Sequence, residues 1–199
     1  MGTSENNIYK TMPWSQNGAK RINSYALVAY MPEPLRSFLD NLRQELVSNC
    51  RIQSHVTLLP PRPISGPAEG AWEQAENRLR EVNAFRLGLG EVEIFPVTNV
   101  IYLGVTEGRE RLMALHRDLN TRHFAFQEPY EYHPHLTLAQ TLEPGQVDEA
   151  LALARRRWTE FDHPRTFLVE KLTFVQNTEG NHWVDLASCV LNSHAMVRS

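Results

Sequence analysis

Two four-residue segments contain the residue types that could do chemistry. The first is His55-Val56-Thr57-Leu58, and the second, 80 residues later, is His135-Leu136-Thr137-Leu138. With 8 His, 12 Thr and 23 Leu among 199 residues, chance predicts roughly 0.06 copies of His-x-Thr-Leu. One copy would be a weak signal, whereas two copies predict a functional motif.

Strand geometry gives each motif a polar side. Residues i and i+2 of a β-strand point to the same face, so His55 shares a face with Thr57, and His135 with Thr137. The apolar residues between and after them point the other way. Each motif therefore predicts a polar pair that is anchored in a core by its leucine.

The paired residue types suit cleavage of a phosphodiester. A histidine, with an unperturbed pKa of roughly 6.5, can act as base or acid near neutral pH, and each such proton transfer contributes about 10²–10⁴-fold in rate. Threonine hydroxyls can donate hydrogen bonds to the non-bridging phosphate oxygens. The catalytic candidates are His55, Thr57, His135 and Thr137. The sequence has no dense carboxylate cluster, so we expect neither a metal nor another cofactor.

The remaining histidines are weaker candidates. His133 and His135 form a His-x-His pair, but no third ligand has convincing spacing for a metal, and we expect His133 at a cleft rim or facing solvent. His116 lies on an apolar helical stripe and is predicted to be a core residue. Tyr130 and Tyr132 precede the second motif and could bind substrate by stacking on a nucleobase. Anchoring of their loop against the core is an equally good interpretation.

Apolar periodicity predicts the elements that must position these residues. Helices are expected at 33–47, 67–83, 109–123 and 144–158, and strands at 24–30, 52–59, 85–92, 100–105, 135–139, 167–175 and 183–191. Prolines 60 and 61 are expected to end the first motif strand. Strand–helix–strand–strand follows each motif, which indicates an internal duplication into two similar lobes. We expect a flexible leader at 1–22, a single bilobal domain at 23–192 and a tail at 193–199.

The composition limits the partners and the location. The net charge of −3 gives no general attraction to nucleic acid, so any RNA contact must be local. Cys50 and Cys189 show no metal-ligand spacing and read as reduced thiols of a cytoplasmic protein. No apolar run approaches membrane-spanning length. We expect a monomer without a membrane contact.

With both motifs in view, the sequence resembles the two-histidine phosphoesterase superfamily, most closely its 2′-5′ RNA ligase-like and 2′,3′-cyclic phosphodiesterase branch. The resemblance runs from about Tyr25 to Leu191, and includes 85–105 and 167–191 as interlobe strands. It implies an α+β fold of two pseudo-symmetric lobes, with antiparallel sheets lining a central cleft and helices outside. It also implies that both histidines and both threonines lie in that cleft.

One departure from the family pattern concerns the substrate. The ligase-like branch often has Arg shortly after the second motif, where this chain has Gln140. A neutral side chain there removes a phosphate or RNA contact and weakens the case for ligase activity. Arg62, just beyond the first motif, is the candidate to supply the charge as a substrate-binding residue.

The hypothesis is therefore a metal-independent phosphoesterase that hydrolyses the 2′,3′-cyclic phosphate of a nucleotide or RNA end. For a reaction that leaves a 2′-phosphate, we expect His135 as base and His55 as acid. RNA 2′-5′ ligation is the reverse reaction at the same site. Other candidates are an ADP-ribose cyclic phosphate or an oligonucleotide as substrate, and a nucleotide-binding module without turnover.

Overall fold

The computed structural model describes residues 20–193. Its elements, in chain order, are β1 (Arg21–Tyr30), α1 (Leu35–Leu46), β2 (His55–Arg62), α2 (Ala68–Leu79), β3 (Phe85–Ile94), β4 (Ile101–Val105), α3 (Arg109–Leu119), β5 (His135–Ala139), α4 (Val147–Thr159), β6 (Thr166–Val169), β7 (Lys171–Thr178) and β8 (Trp183–Val190). Short 3₁₀ helices follow α3 and precede α4. None of the helices in 20–193 is both long enough and apolar enough to cross a membrane.

Two four-stranded antiparallel sheets form the two lobes. Their strand orders are β2-β1-β7-β8 and β5-β4-β3-β6, so each motif strand lies at an edge of its sheet. The registers match as well, because His55 pairs with Tyr30 of β1, and His135 pairs with Gly104 of β4. The predicted bilobal, pseudo-symmetric α+β fold is confirmed.

Neither lobe is a contiguous half of the chain. Strands β7 and β8, from the end of the chain, complete the sheet that begins with β1 and β2. The second sheet takes β3 to β6 from the middle of the chain. The predicted order of strand, helix, strand, strand holds after the first motif, whereas three strands follow α4 after the second. The chain passes from one lobe to the other between β2 and β3 and again after β6.

The helices connect the lobes and form one core with them. Helix α1 buries Leu35, Leu39 and Leu42 and packs against β5 of the other lobe, while α3 packs against β2. Each motif strand is thus supported from behind by the opposite lobe's helix. A single hydrophobic cluster extends through both lobes, which fixes their relative position because the interior is close-packed.

Three predicted boundaries are wrong. Strand β2 continues through prolines 60 and 61 to Arg62, which an edge strand tolerates because one of its sides has no ladder to lose. The segment predicted as one strand at 167–175 is two, β6 and β7, which belong to different sheets. Strand β1 begins at Arg21, which pairs with Thr178 of β7, so the end of the expected leader is part of the sheet. The rest of the leader, 1–19, and the tail from 194 lie outside the described residues.

Candidate active site

A cavity of about 1130 Å³ lies between the two sheets. Strands β2 and β5 contact each other where the lobes meet, so their polar faces open into the same space. All four predicted catalytic residues line it: His55, Thr57, His135 and Thr137. Residues that are 80 positions apart in the sequence are therefore brought together in one site.

The two imidazoles are held in the same way. His55 Nδ1 lies 2.7 Å from the Gln53 carbonyl oxygen, and His135 Nδ1 lies 2.6 Å from the His133 carbonyl oxygen. A carbonyl only accepts hydrogen bonds, so each Nδ1 carries the proton. Each Nε2 is then the nitrogen that remains for proton transfer in the cavity.

Burial makes both imidazoles poor proton acceptors until an anion binds. Desolvation lowers the pKa of His55 to about 4; the bond to Gln53 opposes this, and the charges of Arg43 and His135 add to it. Desolvation also lowers the pKa of His135, against the bond to the His133 carbonyl and together with the charge of His133. Both imidazoles are therefore neutral at pH 7. A bound phosphate would raise both pKa values by its negative charge.

Both threonine hydroxyls remain available as donors. Thr57 and Thr137 are half-buried on the cavity side of their strands, and neither hydroxyl has a hydrogen-bond partner within residues 20–193. The Thr57 backbone carbonyl, by contrast, accepts a bond of 2.8 Å from the Tyr132 hydroxyl. The motif backbone is thus fixed while its hydroxyls are free to bind a ligand.

Aromatic side chains orient the imidazoles. The Tyr30 ring meets His55 edge-on at a centroid distance of 6.2 Å, and its hydroxyl donates to Asp185 Oδ1 at 2.5 Å. Phe95 meets His135 in the same way at 5.1 Å. These three residues could not be recognised from the sequence, because a single aromatic or acidic residue carries no distinctive spacing.

The two candidate tyrosines have different surroundings. Tyr132 stacks on His116 at 4.0 Å with nearly parallel rings, and its hydroxyl is bonded to Thr57. These contacts favour the interpretation as a loop anchor. Tyr130 lines the cavity mouth with 64% of its surface exposed, and its ring stacks on no other side chain within residues 20–193. His116 is buried, as predicted.

The structure contradicts the prediction that Arg62 contacts the substrate. Its side chain is fully buried, and its guanidinium donates to the Pro60 carbonyl, to Asn120 Oδ1 and, in an ion pair, to Glu128. Because β2 does not stop at the prolines, Arg62 is placed on the core side of the strand. Its partner Glu128 lines the cavity instead.

Two further positions singled out from the sequence lie at the cavity. Gln140 and His133 both line it. His133 is therefore a half-buried residue of the cavity wall. Residues 20–193 contain no group of three His, Cys, Asp or Glu side chains that could hold a metal ion.

A family model matches residues 31–181, three quarters of the chain, and is described as the 2′-5′ RNA ligase superfamily. The chain belongs to this superfamily. This membership confirms the resemblance to the two-histidine phosphoesterases that the two His-x-Thr-Leu motifs indicate.

The names of individual relatives agree with this family assignment. A Bacillus cytotoxicus protein, provisionally named a phosphoesterase, is 30% identical over 142 residues, which are 67% of this chain and 80% of the relative. One from Halalkalibacterium halodurans with a similar provisional name is 25% identical over 169 residues, 80% of this chain and 92% of the relative. Escherichia coli LigT superposes with a TM-score of 0.59 at 18% identity, covering 87% of this chain and 99% of LigT. A Thermus thermophilus protein gives 0.58 at 18%, covering 86% of this chain and all of its own. The structural likenesses show the shared fold.

Proposed function

We propose that this superfamily member hydrolyses the 2′,3′-cyclic phosphate of a nucleotide or RNA end without a metal. Water attacks phosphorus while one histidine takes its proton. The other histidine takes up a second proton, at Nε2, when the phosphate raises its pKa. The bond from phosphorus to the ribose 3′ oxygen breaks as this histidine gives that proton to the departing oxygen, leaving a 2′-phosphate. Thr57 and Thr137 donate hydrogen bonds to the non-bridging oxygens as charge develops there.

The observation that carries this proposal is the matched pair of imidazoles. Both Nδ1 atoms are bonded to the carbonyl two residues earlier, and both side chains line one cavity beside a free threonine hydroxyl. Acid–base cleavage of a phosphodiester needs two such groups. A module that only binds nucleotides would need neither.

Nucleotides are the ligand class that the structural neighbours support. Escherichia coli LigT has been crystallised with NADP+, with 3′-AMP and with ATP. In this chain, the exposed ring of Tyr130 at the mouth is the candidate for stacking on a base. Ligation is the reverse reaction at the same site; the neutral Gln140 on the cavity wall favours hydrolysis as the first activity to test.

The pKa directions support the opposite roles to those expected from the sequence. The charge of Arg43 helps to lower the pKa of His55, whereas no arginine contributes at His135. His55 thus stays neutral more readily and fits the base, and His135 fits the acid. In pH profiles of kcat/KM, we expect the acidic limb to disappear in His55→Ala and the basic limb in His135→Ala. The converse pattern would restore the first assignment.

The test of the function is hydrolysis of nucleoside 2′,3′-cyclic phosphates in EDTA. Activity should survive chelation and fall about 10²–10⁴-fold in His55→Ala and in His135→Ala. His163→Ala is the control, because this histidine is exposed and away from the cavity. Dependence on added metal would refute the mechanism, and tight nucleotide binding without turnover would favour a binding module.

We also propose that the enzyme acts as a monomer in the cytoplasm. Cys50 and Cys189 are free thiols in the structure, the state that a reducing compartment maintains. Light scattering on a sizing column tests the monomer, and a dimer mass would reject it. Cell fractionation with an antibody tests the compartment.

A further inference from the structure

Arg43 is a helix residue that reaches the cavity. It lies in the last turn of α1, with only 6% of its surface exposed. Among residues 20–193, every other side chain that lines the cavity comes from a strand or a loop. A buried arginine is thus directed from the core into the space beside His55.

The Arg43 guanidinium has no partner in the described chain. Its Nε is buried without a hydrogen bond, and within 20–193 the side chain makes no hydrogen bond or ion pair. It is near enough to His55 for its charge to affect that imidazole. Burying an unpaired charge is costly, so a protein that retains one has a use for it.

In the second lobe, the position equivalent to Arg43 holds a side chain that does have a partner. The buried stripes of equal spacing are Leu39, Leu42 and Arg43 in α1, and Leu112, Leu115 and His116 in α3. In α3, His116 bonds Glu128 at 2.8 Å. In α1, Arg43 has no acidic partner among residues 20–193, and the nearby Asp40 accepts a hydrogen bond from the Ser54 amide instead. Arg43 therefore brings an unpaired positive charge to the His55 end of the cavity, where the charge of Asp40 also acts on His55.

We propose that Arg43 binds a phosphate oxygen of the substrate on the His55 side of the cavity. Arg51, exposed at the same end of the cavity, adds positive charge there. The acidic side chains that line the cavity are Glu131, Glu128, which is paired with Arg62, and Asp185, which accepts a hydrogen bond from Tyr30. The guanidinium of Arg43, from helix α1, thus supplies the positive charge that the ligase-like branch often has from an arginine where this chain has Gln140. The identity of the phosphate as part of a cyclic nucleotide rests on the proposed function; the anion subsite does not.

The test measures binding of inorganic phosphate and of adenosine 2′-monophosphate by calorimetry at pH 7 and low salt. In Arg43→Met, we expect both affinities to fall about 10-fold or more, the loss typical of a charge-assisted hydrogen bond. The melting temperature should stay unchanged or rise, because an unpaired buried charge is removed. Arg36→Met is the matched control: it lies on the same helix, exposed and paired with Glu33, and should bind both probes like wild type.

The outcomes separate this inference from the proposed function. A folded Arg43→Met that binds both probes like wild type overturns the subsite, as does a wild type that binds neither. If the Met variant does not fold, Arg43→Gln is measured in the same way, and wild-type affinity in it has the same meaning. Arg43-dependent binding in a protein that fails to hydrolyse cyclic phosphates would sustain the subsite and reject the function.

Discussion

His55 and His135 occupy equivalent positions on β2 and β5, and each donates its Nδ1 proton to the carbonyl two residues earlier. A histidine held in this way keeps one tautomer, so its Nε2 is ready for proton transfer without reorientation. The threonine two residues later shares the face and presents its hydroxyl to the same space. At the scale of residues, the site consists of two copies of the same arrangement, a histidine with a fixed tautomer and a threonine on the same strand face.

Removing one hydroxyl tests the role of the threonines. In Thr57→Val or Thr137→Val, we expect kcat/KM on a cyclic phosphate to fall about 10- to 100-fold, because a hydrogen bond to a charged oxygen is lost. Valine has a similar shape and suits a strand, so the melting temperature should change little. Thr57→Ser keeps the hydroxyl and should remain within a few-fold of wild type. Equal losses in the Val and Ser variants would contradict the role.

The low pKa of His55 predicts a pH-dependent stability. In the unfolded chain this group binds a proton below about pH 6.5, whereas in the folded protein it does so only below about pH 4. The unfolded state therefore binds more protons in between, and stability falls as pH drops through that window, by about 2–3 kcal/mol at most. Denaturant unfolding at pH 7 and pH 4.5 measures it. His55→Gln should lose clearly less stability on acidification; equal losses would count against the shifted pKa.

At the scale of elements, a buried network holds the loop that precedes β5 against β2. Arg62 pairs with Glu128, Glu128 with His116, and His116 stacks on Tyr132, whose hydroxyl bonds the Thr57 carbonyl. The network joins α3, β2 and the loop, so the cavity wall is anchored to the core. Arg62 is a positioning residue through this chain of contacts.

Replacing Arg62 should break this network. We expect Arg62→Met to lower the free energy of unfolding by about 3 kcal/mol, because Glu128 is left with a buried charge and one partner fewer. Chemical denaturation measures the change. Arg78→Met is the control, since Arg78 forms exposed ion pairs with Glu81 and Asp118 that contribute at most about 1 kcal/mol. A similar small effect in both variants would argue against the network.

At the scale of the whole molecule, the lobes cannot be separated by cutting the chain. Strand β1 pairs with β2 on one side and with β7 on the other, so the first half of the chain lacks a central strand of its own sheet. The helices also pack against the opposite lobe, α1 against β5 and α3 against β2. The cavity exists only when both halves are present.

This architecture predicts cooperative folding. We expect fragments 20–107 and 108–193, produced separately, to be unfolded by circular dichroism, because each would expose unpaired strands and half of the shared core. The intact chain should unfold in a single transition. Calorimetry measures that transition, and a folded fragment or two separate transitions would show that the lobes are independent.

The sequence by itself determined the motif pair, the strand face that each motif presents and most of the elements around it. These features depend on local spacing, because a period of two or 3.6 residues fixes which side chains share a face. The second motif strand was located at its observed bounds, His135–Ala139. The family could be inferred as well, since three residues that recur at the same spacing in similar surroundings are improbable by chance.

The tertiary structure alone decided which strands share a sheet and which charged groups reach the cavity. Strand pairing joins residues far apart in the chain, such as Arg21 with Thr178, and no local period encodes that choice. For the same reason, the sequence indicated Arg62 as the substrate-binding arginine, whereas Arg43 is the arginine that lines the cavity. A strand that continued through its prolines turned Arg62 into the core, and a helix packed beneath the opposite lobe carried Arg43 to the cavity. Burial and charge pairing depend on what the whole fold places beside a residue.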